Sequence, residues 1–297
     1  MNIEINDGLV RQLVNDQFPQ WCDLEIKPVA TQGWDNRTFH LGSDMTVRLP
    51  SSESYAPQAE KEQDWIPILS SMLPFQVPVL LAKGKPSEVF PYKWGIYKWL
   101  DGENLELESI NDISKLAKDL AHFLNELQKI DTSNAPLAGQ HCFYRGAPLS
   151  VYDTETKRAI QNLSDTINAK LAIEIWDKAV MTKWERLPVW FHGDIAKGNL
   201  LTKNGELYAV IDFGCCGVGD PACDLSIAWT FFSEDSRQMF KTELDLDEHT
   251  WQRGRAWALW KALITVEQSI GKTADIKTNG AVRTINEIFS DYHRGKK

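Results

Sequence analysis

Positive charge is the scarcer sign in this chain. Over 297 residues, 32 Lys and Arg face 41 Asp and Glu, a formal net charge of -9. Such a balance lacks the broad basic surface that nucleic acid or an anionic bilayer requires, so neither is an expected partner. It suits a cationic small molecule, and it equally suits an ordinary acidic surface. Long hydrophobic runs are also missing, since none reaches the roughly 20 residues that span a bilayer. The opening MNIEINDGLVRQLVNDQF has no basic stretch followed by an apolar one, so no signal peptide is expected. Cysteine is sparse: Cys22, Cys142, Cys215, Cys216 and Cys223 form an odd set without Cys-x-x-Cys spacing. The adjacent Cys215 and Cys216 are poorly placed to chelate one metal or to bridge without strain. Free thiols in a reducing, cytoplasmic setting follow. Internal repeats and low-complexity segments are absent, and no feature calls for an obligate protein partner. His40, His122, His141, His249 and His293 show no metal-ligand spacing.

What is present divides into two parts. Asp7 to Phe18 has helical apolar spacing, with Asp7 as its cap. EIKPVA, TFHLG and MTVRLP read as consecutive antiparallel strands, and QVPVLLAKG and KWGIYKWL as two more. Between them Ala59 to Leu73 reads as a helix interrupted at Pro67. After DGENL the pattern turns helical. Ile113 to Ile130 carries Leu116, Leu120, Phe123, Leu124 and Leu127 on one face. Residues 151–183 and nearly everything after Asp220-Pro221 read as further helices. The expected fold is α+β: a small antiparallel β-sheet lobe over residues 1–101 and a larger, mostly α-helical lobe over 102–297.

The chemistry concentrates in two motifs. In His192-Gly193-Asp194-Ile195-Ala196-Lys197-Gly198-Asn199, an apolar run precedes an Asp, and an Asn follows five residues after that Asp. That is the spacing of the kinase catalytic loop. In Ile211-Asp212-Phe213-Gly214, a second apolar run ends in the Asp-Phe-Gly of a metal-nucleotide site. Phosphoryl transfer asks for these parts: a carboxylate at the attacking hydroxyl (Asp194) and hard oxygen ligands for Mg2+ (Asn199 and Asp212). Either motif alone is weak, because Gly-Asp and Asp-Gly commonly mark turns. Together they point to a kinase-type site. His192 reads as a structural brace of the loop, Asp224 as support from behind it, and Cys215 and Cys216 as small buried hydrophobes. Lys197 reads equally as a γ-phosphate contact or as a solvated lysine.

With these residues in view, FHGDIAKGNLL and VIDFGCCGVGDPACDLSIAW resemble the aminoglycoside phosphotransferase family, whose relatives include choline, homoserine and macrolide kinases. The resemblance extends upstream through GWDNRTFHLGSDMTVRLP, AEKEQDWIPIL and PYKWGIYKWLDGENL, covering about residues 25–230. It implies a protein-kinase-like fold and Mg2+-dependent transfer from ATP to a small-molecule hydroxyl. It also implies Arg48 in the place of the kinase β3 lysine. Glu62 is its implied partner, with Glu60 as the substitute. Lys98 and Leu100 would offer backbone groups to a base.

The pattern departs from the family in two places. Thr31 to Thr38 holds only Gly33, so phosphate would rest on fewer backbone N–H groups and on side chains such as Asn36 and Arg37. Arg48 replaces Lys, and a guanidinium is not interchangeable with an ammonium. Both ATP and GTP therefore stay open. So does the acceptor: an antibiotic recognised through Glu234, Asp235, Asp245, Asp247 and Glu248, or a metabolite such as choline, a sugar or an amino alcohol. Those acids also read simply as a solvated face. A catalytically silent nucleotide-binding module is the alternative from another class. A protein kinase is disfavoured, because no Ala-Pro-Glu follows Asp-Phe-Gly.

Overall fold

The computed structural model describes residues 3–30, 32–272 and 276–295. Thr31, at the edge of the Gly33 stretch, lies outside them. The chain folds as two compact units, one of Met1–Glu103 with Tyr208–Gly214 and one of Asn104–Leu207 with Cys215–Lys297.

The first unit is built on a five-stranded antiparallel sheet. Its strands are β1 (Ile26–Pro28), β2 (Asn36–Leu41), β3 (Met45–Pro50), β4 (Leu80–Gly84) and β5 (Trp94–Lys98), in the order β1-β2-β3-β5-β4. Alternation places Phe39, Leu41, Val47, Leu49 and Ile96 in one buried cluster with Val10, Leu13 and Val14 of helix α1 (Asp7–Gln17). Each such side chain, fully buried, contributes about 1.5–3 kcal/mol. The cap of α1 is Asn6, whose side chain accepts from the Leu9 N–H at 3.1 Å, and not the expected Asp7. One residue decides this, because only the residue with extended backbone before the first turn can aim its oxygen at those N–H groups.

Helix α2 spans Ala56–Leu69 and runs through Pro67 instead of breaking there. Pro67 sits in the last turn and removes one ladder bond, the one its N–H would give the Gln63 carbonyl, and the helix ends two residues later. The Gln63 side chain donates to the Trp94 carbonyl at 2.6 Å and pins α2 to β5. Residues 208–214 follow the β-rich segment far along the chain yet belong to this unit. Gln76 holds them there, its N–H donating to the Tyr208 carbonyl at 3.2 Å and its carbonyl accepting from the Val210 N–H at 2.9 Å.

The second unit contains α3 (Ile113–Lys129), α4 (Asp153–Asn162), α5 (Ala169–Val180), α6 (Ile227–Thr230), α7 (Glu234–Glu243), α8 (Glu248–Glu267) and α9 (Ile276–Arg294). The apolar face expected of α3 is buried throughout, and Asp112 caps the helix through the Ser114 and Lys115 N–H groups. Helix α8 is apolar on most sides and packs against α4, α5 and α9. Apolar residues all round are what a central helix requires. Trp251 and Trp257 lie in its buried part. Gly254 lets the segment Pro221–Ser226 lie directly on α8, since a Cβ there would stand 2.7 Å from that of Leu225. A short antiparallel pair, Val189–Phe191 with Gly217–Gly219, runs into the His192 loop.

A buried ion pair ties α8 to the start of that segment. Arg253 is 1% exposed and grips both carboxylate oxygens of Asp220, while its remaining donors reach Thr182 and Thr250. Removing one partner of such a pair strands the other charge in an apolar setting. Arg253→Met is expected to lower stability by about 3–5 kcal/mol in urea unfolding. The double variant Arg253→Met with Asp220→Leu should lose measurably less than Arg253→Met alone.

Candidate active site

The catalytic-loop residues form a closed set of bonds within the second unit. Strand Val189–Phe191 delivers His192, fully buried, whose ring Nδ1 accepts from the Asp194 N–H at 3.2 Å. Asp224 is 1% exposed, and its two oxygens accept from the His192 and Gly193 N–H groups, each at 2.7 Å. Burial pushes the Asp224 carboxyl up to about 7, against the pull of those two N–H donors and of Arg145. Gly193 has φ +84°, and a Cβ there would stand 2.5 Å from the Cys215 carbonyl oxygen. Glycine at this position is therefore a requirement of both conformation and space. Cys215 and Cys216 are buried beside it, as small apolar groups would be.

The loop presents Asp194 with three side chains on its carboxylate. Lys261 donates to Oδ1 at 3.0 Å, Arg145 lies 3.0 Å from the same oxygen, and Asn199 donates to Oδ2 at 2.9 Å. Arg145 also donates to the Gly193 carbonyl. Burial alone would raise the Asp194 pKa, but Lys261 and Arg145 outweigh it and hold the carboxyl well below the usual carboxylate range. Asn199 uses its Nδ2 on the carbonyl and carboxylate of Asp194, which leaves its Oδ1 as the atom available to a cation. Lys197 donates to both oxygens of Glu106, at 3.0 and 2.9 Å, in an exposed pair. An exposed pair of this kind is weak.

Arg48, Glu62 and Asp212 come together in the first unit. Arg48 lies mid-strand, opposite Thr38 on one side and Gly95 on the other. Its guanidinium donates to Glu62 Oε1, lies 3.6 Å from Asp212 Oδ1, and stands over the Tyr97 ring at 5.3 Å. Burial would lower its pKa, yet Glu62 and Asp212 more than offset that and hold it above its ordinary value. Glu60 is engaged elsewhere, 3.3 Å from Lys93 in an exposed pair, so the substitute partner is not the one used. Asp212 has φ +68°, a backbone state uncommon for a residue with a side chain and typical of functional turns.

The remaining expected positions lie along the same unit. Gly33 accepts from Arg37 at 2.7 Å, so that guanidinium is engaged within its own loop. A Cβ on Gly33 would meet only the Asn36 carbonyl at 3.6 Å, an ordinary contact. Asn36 opens β2 opposite Pro50. The Lys98 N–H donates to the Val79 carbonyl at 2.9 Å, and the Leu100 carbonyl accepts from Gly102 at 3.0 Å. Of the five acids considered for a cationic acceptor, four have local partners. Asp247 caps α8, Glu248 pairs with Lys241, Glu234 lies 3.3 Å from Arg294, and Asp245 is near Arg186.

Sequence reasoning missed Arg145 and Lys261. Lys261 carried a signal, being the only charge between Arg255 and Glu267 in an otherwise apolar helix. Arg145 carried none, because it sits among left-handed residues (Phe143, Tyr144 and Gly146) that no motif announces. Among the described residues, no group of three or more His, Cys, Asp or Glu is arranged to hold a metal by itself. An Asp and an Asn are the hard oxygen donors that Mg2+ takes when phosphates and water complete its shell.

The first unit's sheet with its Arg48–Glu62 pair, and the loop with Asp194 and Asn199, define a protein-kinase-like phosphotransferase. Residues 25–257 match the phosphotransferase enzyme family, and the chain belongs to that family. Solved structures with the same fold include the GDP complex of an aminoglycoside 2'-phosphotransferase-IIIa, at 17% identity and TM-score 0.73, covering 97% of this chain and 100% of that one. A type I macrolide 2'-phosphotransferase matches at 15% identity and TM-score 0.62, covering 95% and 97%. A macrolide 2'-phosphotransferase from Brachybacterium faecium matches at 17% and 0.62, covering 95% and 98%. No protein of curated function matches the sequence. No described helix is long and apolar enough to cross a membrane.

Gly193→Ala should distort the loop that carries Asp194. The expected outcome is a loss of about 1–3 kcal/mol in chemical denaturation from the strained backbone alone. Phosphoryl transfer should fall at least a hundredfold in the same variant.

Proposed function

We propose that this chain transfers the γ-phosphoryl group of a purine nucleoside triphosphate, ATP or GTP, to a hydroxyl of a small molecule, with Mg2+. The observation that carries the reading is the Asp194 carboxylate, held by Lys261 and Arg145 at one oxygen and by Asn199 at the other. Asp194 orients the acceptor hydroxyl and takes its proton as the hydroxyl oxygen bonds to the γ-phosphorus. The bond from phosphorus to the β–γ bridging oxygen breaks, and the nucleoside diphosphate leaves with that electron pair. A carboxylate held this far below neutrality is a weak base, which suits a loose transition state in which the proton moves late. Asp212 and the Asn199 Oδ1 would hold Mg2+, which supplies charge neutralisation on the phosphates.

Arg48 is the phosphate anchor in this reading. Its guanidinium is set by Glu62, as the lysine of a kinase is set by its helix glutamate. Gly33 and Asn36, the first residue of β2, would contact the phosphates. Base recognition falls to the Lys98 carbonyl and the Leu100 N–H, since the Lys98 N–H and the Leu100 carbonyl are already bonded. Lys197, between Asp194 and Asn199 in the chain, would serve as a γ-phosphate contact on leaving its exposed pair with Glu106. Solved structures of this fold include GDP and ADP complexes, which supports a nucleotide site open to either purine.

Two substitutions separate chemistry from binding. Asp194→Ala should reduce phosphoryl transfer at least a thousandfold while the Kd for Mg-nucleotide, by calorimetry, changes less than threefold. Asp212→Ala should weaken Mg-nucleotide binding at least tenfold. Normal turnover by Asp194→Ala would overturn the assignment, and unchanged binding by Asp212→Ala would overturn the metal role.

A further inference from the structure

Two cations stand on the catalytic carboxylate, where an acceptor must bring its hydroxyl. Lys261 and Arg145 both reach Asp194 Oδ1 at 3.0 Å, so the seat of the hydroxyl carries more positive than negative charge. Asp224, the other acid nearby, is turned to the His192 and Gly193 backbone and faces away from any ligand. Arg145 cannot leave, because its side chain is 17% exposed and it also holds the Gly193 carbonyl. Lys261 can: its side chain is 48% exposed, and a long flexible stem carries a single rotatable ammonium. A carboxylate accepts about four hydrogen bonds and three side-chain donors occupy this one, so a hydroxyl can take the fourth place with Lys261 still at the seat.

Lys261 keeps donors to spare while it bonds Asp194, and its half-exposed ammonium has room for a further anionic partner. Its own helix offers none. The positions three and four residues away are Trp257, Ala258, Ile264 and Thr265, and these are the only intrahelical neighbours a lysine can reach. Further along the same helix, Glu267 is taken by Arg158 and Asn162, and Glu155 of α4 accepts the Trp260 indole N–H.

We infer that the acceptor carries an anionic group, a carboxylate or phosphate, close to the hydroxyl it presents to Asp194, and that Lys261 is the residue that selects it. This rests on the phosphotransferase reading above. A polyamine would bring ammonium groups against Lys261 and Arg145, while an anion beside the hydroxyl meets their surplus positive charge.

The test uses the full chain with Mg2+ and ATP or GTP. The acceptor panel is small alcohols on shared carbon skeletons, each bearing a carboxylate, a phosphate monoester, a primary amide or a primary amine. The wild type should favour an anionic member over its amide by at least tenfold in kcat/KM, with the amine lowest. Whether carboxylates or phosphates lead identifies the anion. Lys261→Arg should keep that order, and Lys261→Glu should cut the acid-to-amine ratio at least a hundredfold. A wild type that prefers amines, an acid-to-amine ratio that Lys261→Glu moves less than twofold, or nucleotide binding with no anionic alcohol phosphorylated each overturn the inference while leaving a phosphotransferase. Absence of Mg-nucleotide binding by calorimetry would instead remove the phosphotransferase reading, and this inference with it.

Discussion

The catalytic loop depends on one buried carboxylate. Asp224 accepts the His192 and Gly193 N–H groups at once, and a backbone held at two successive N–H groups has little freedom left. Asp194 is the next residue, so its direction follows from that grip. The grip exists because Pro221–Ser226 lies flat on α8 at Gly254 and is anchored by the Arg253–Asp220 pair. Burial works against the Asp224 charge and brings its pKa to about 7, so only the two short hydrogen bonds and Arg145 keep it an acceptor. An apolar replacement there would leave two buried N–H groups without partners, which is why a carboxylate belongs at this place.

Charge elsewhere follows the same economy. Each unit contains a cluster in which a nearly buried arginine sets an acid of the proposed site: Arg48 with Glu62 and Asp212, Arg145 with Asp194. Buried pairs of this kind add little net stability, because desolvation nearly cancels their attraction. They hold geometry instead. Phosphoryl transfer asks for that, since fixed charges that need no reorganisation are the main source of its catalysis.

Much of this was legible in the chain itself. The Asp194 to Asn199 spacing, the Asp-Phe-Gly after an apolar run, and the five strands of the first unit are local features, and short-range sterics and hydrogen bonding decide them. The apolar face of α3 was legible because helical periodicity and burial coincide there. The errors were local too. The α1 cap shifted by one residue to Asn6, and α2 passed through Pro67, both at helix ends where a turn more or less costs little. The choice between Glu62 and Glu60 was not readable, because two residues on a helix differ by about 200° in direction, and only the packed sheet says which one faces Arg48.

Sequence by itself therefore determined the family, the α+β class and the residues proposed for metal, phosphate and proton. Those depend on covalent spacing along a single segment. Tertiary structure alone decided which charges meet. Arg145 and Lys261 are 116 residues apart (261 minus 145), and both sit 3.0 Å from one oxygen of Asp194. Tertiary structure also returned residues 208–214 to the β-rich unit and engaged Lys197 with Glu106. Coulomb interaction acts through space and is indifferent to chain order. The charge at an active site is set only once the chain has folded.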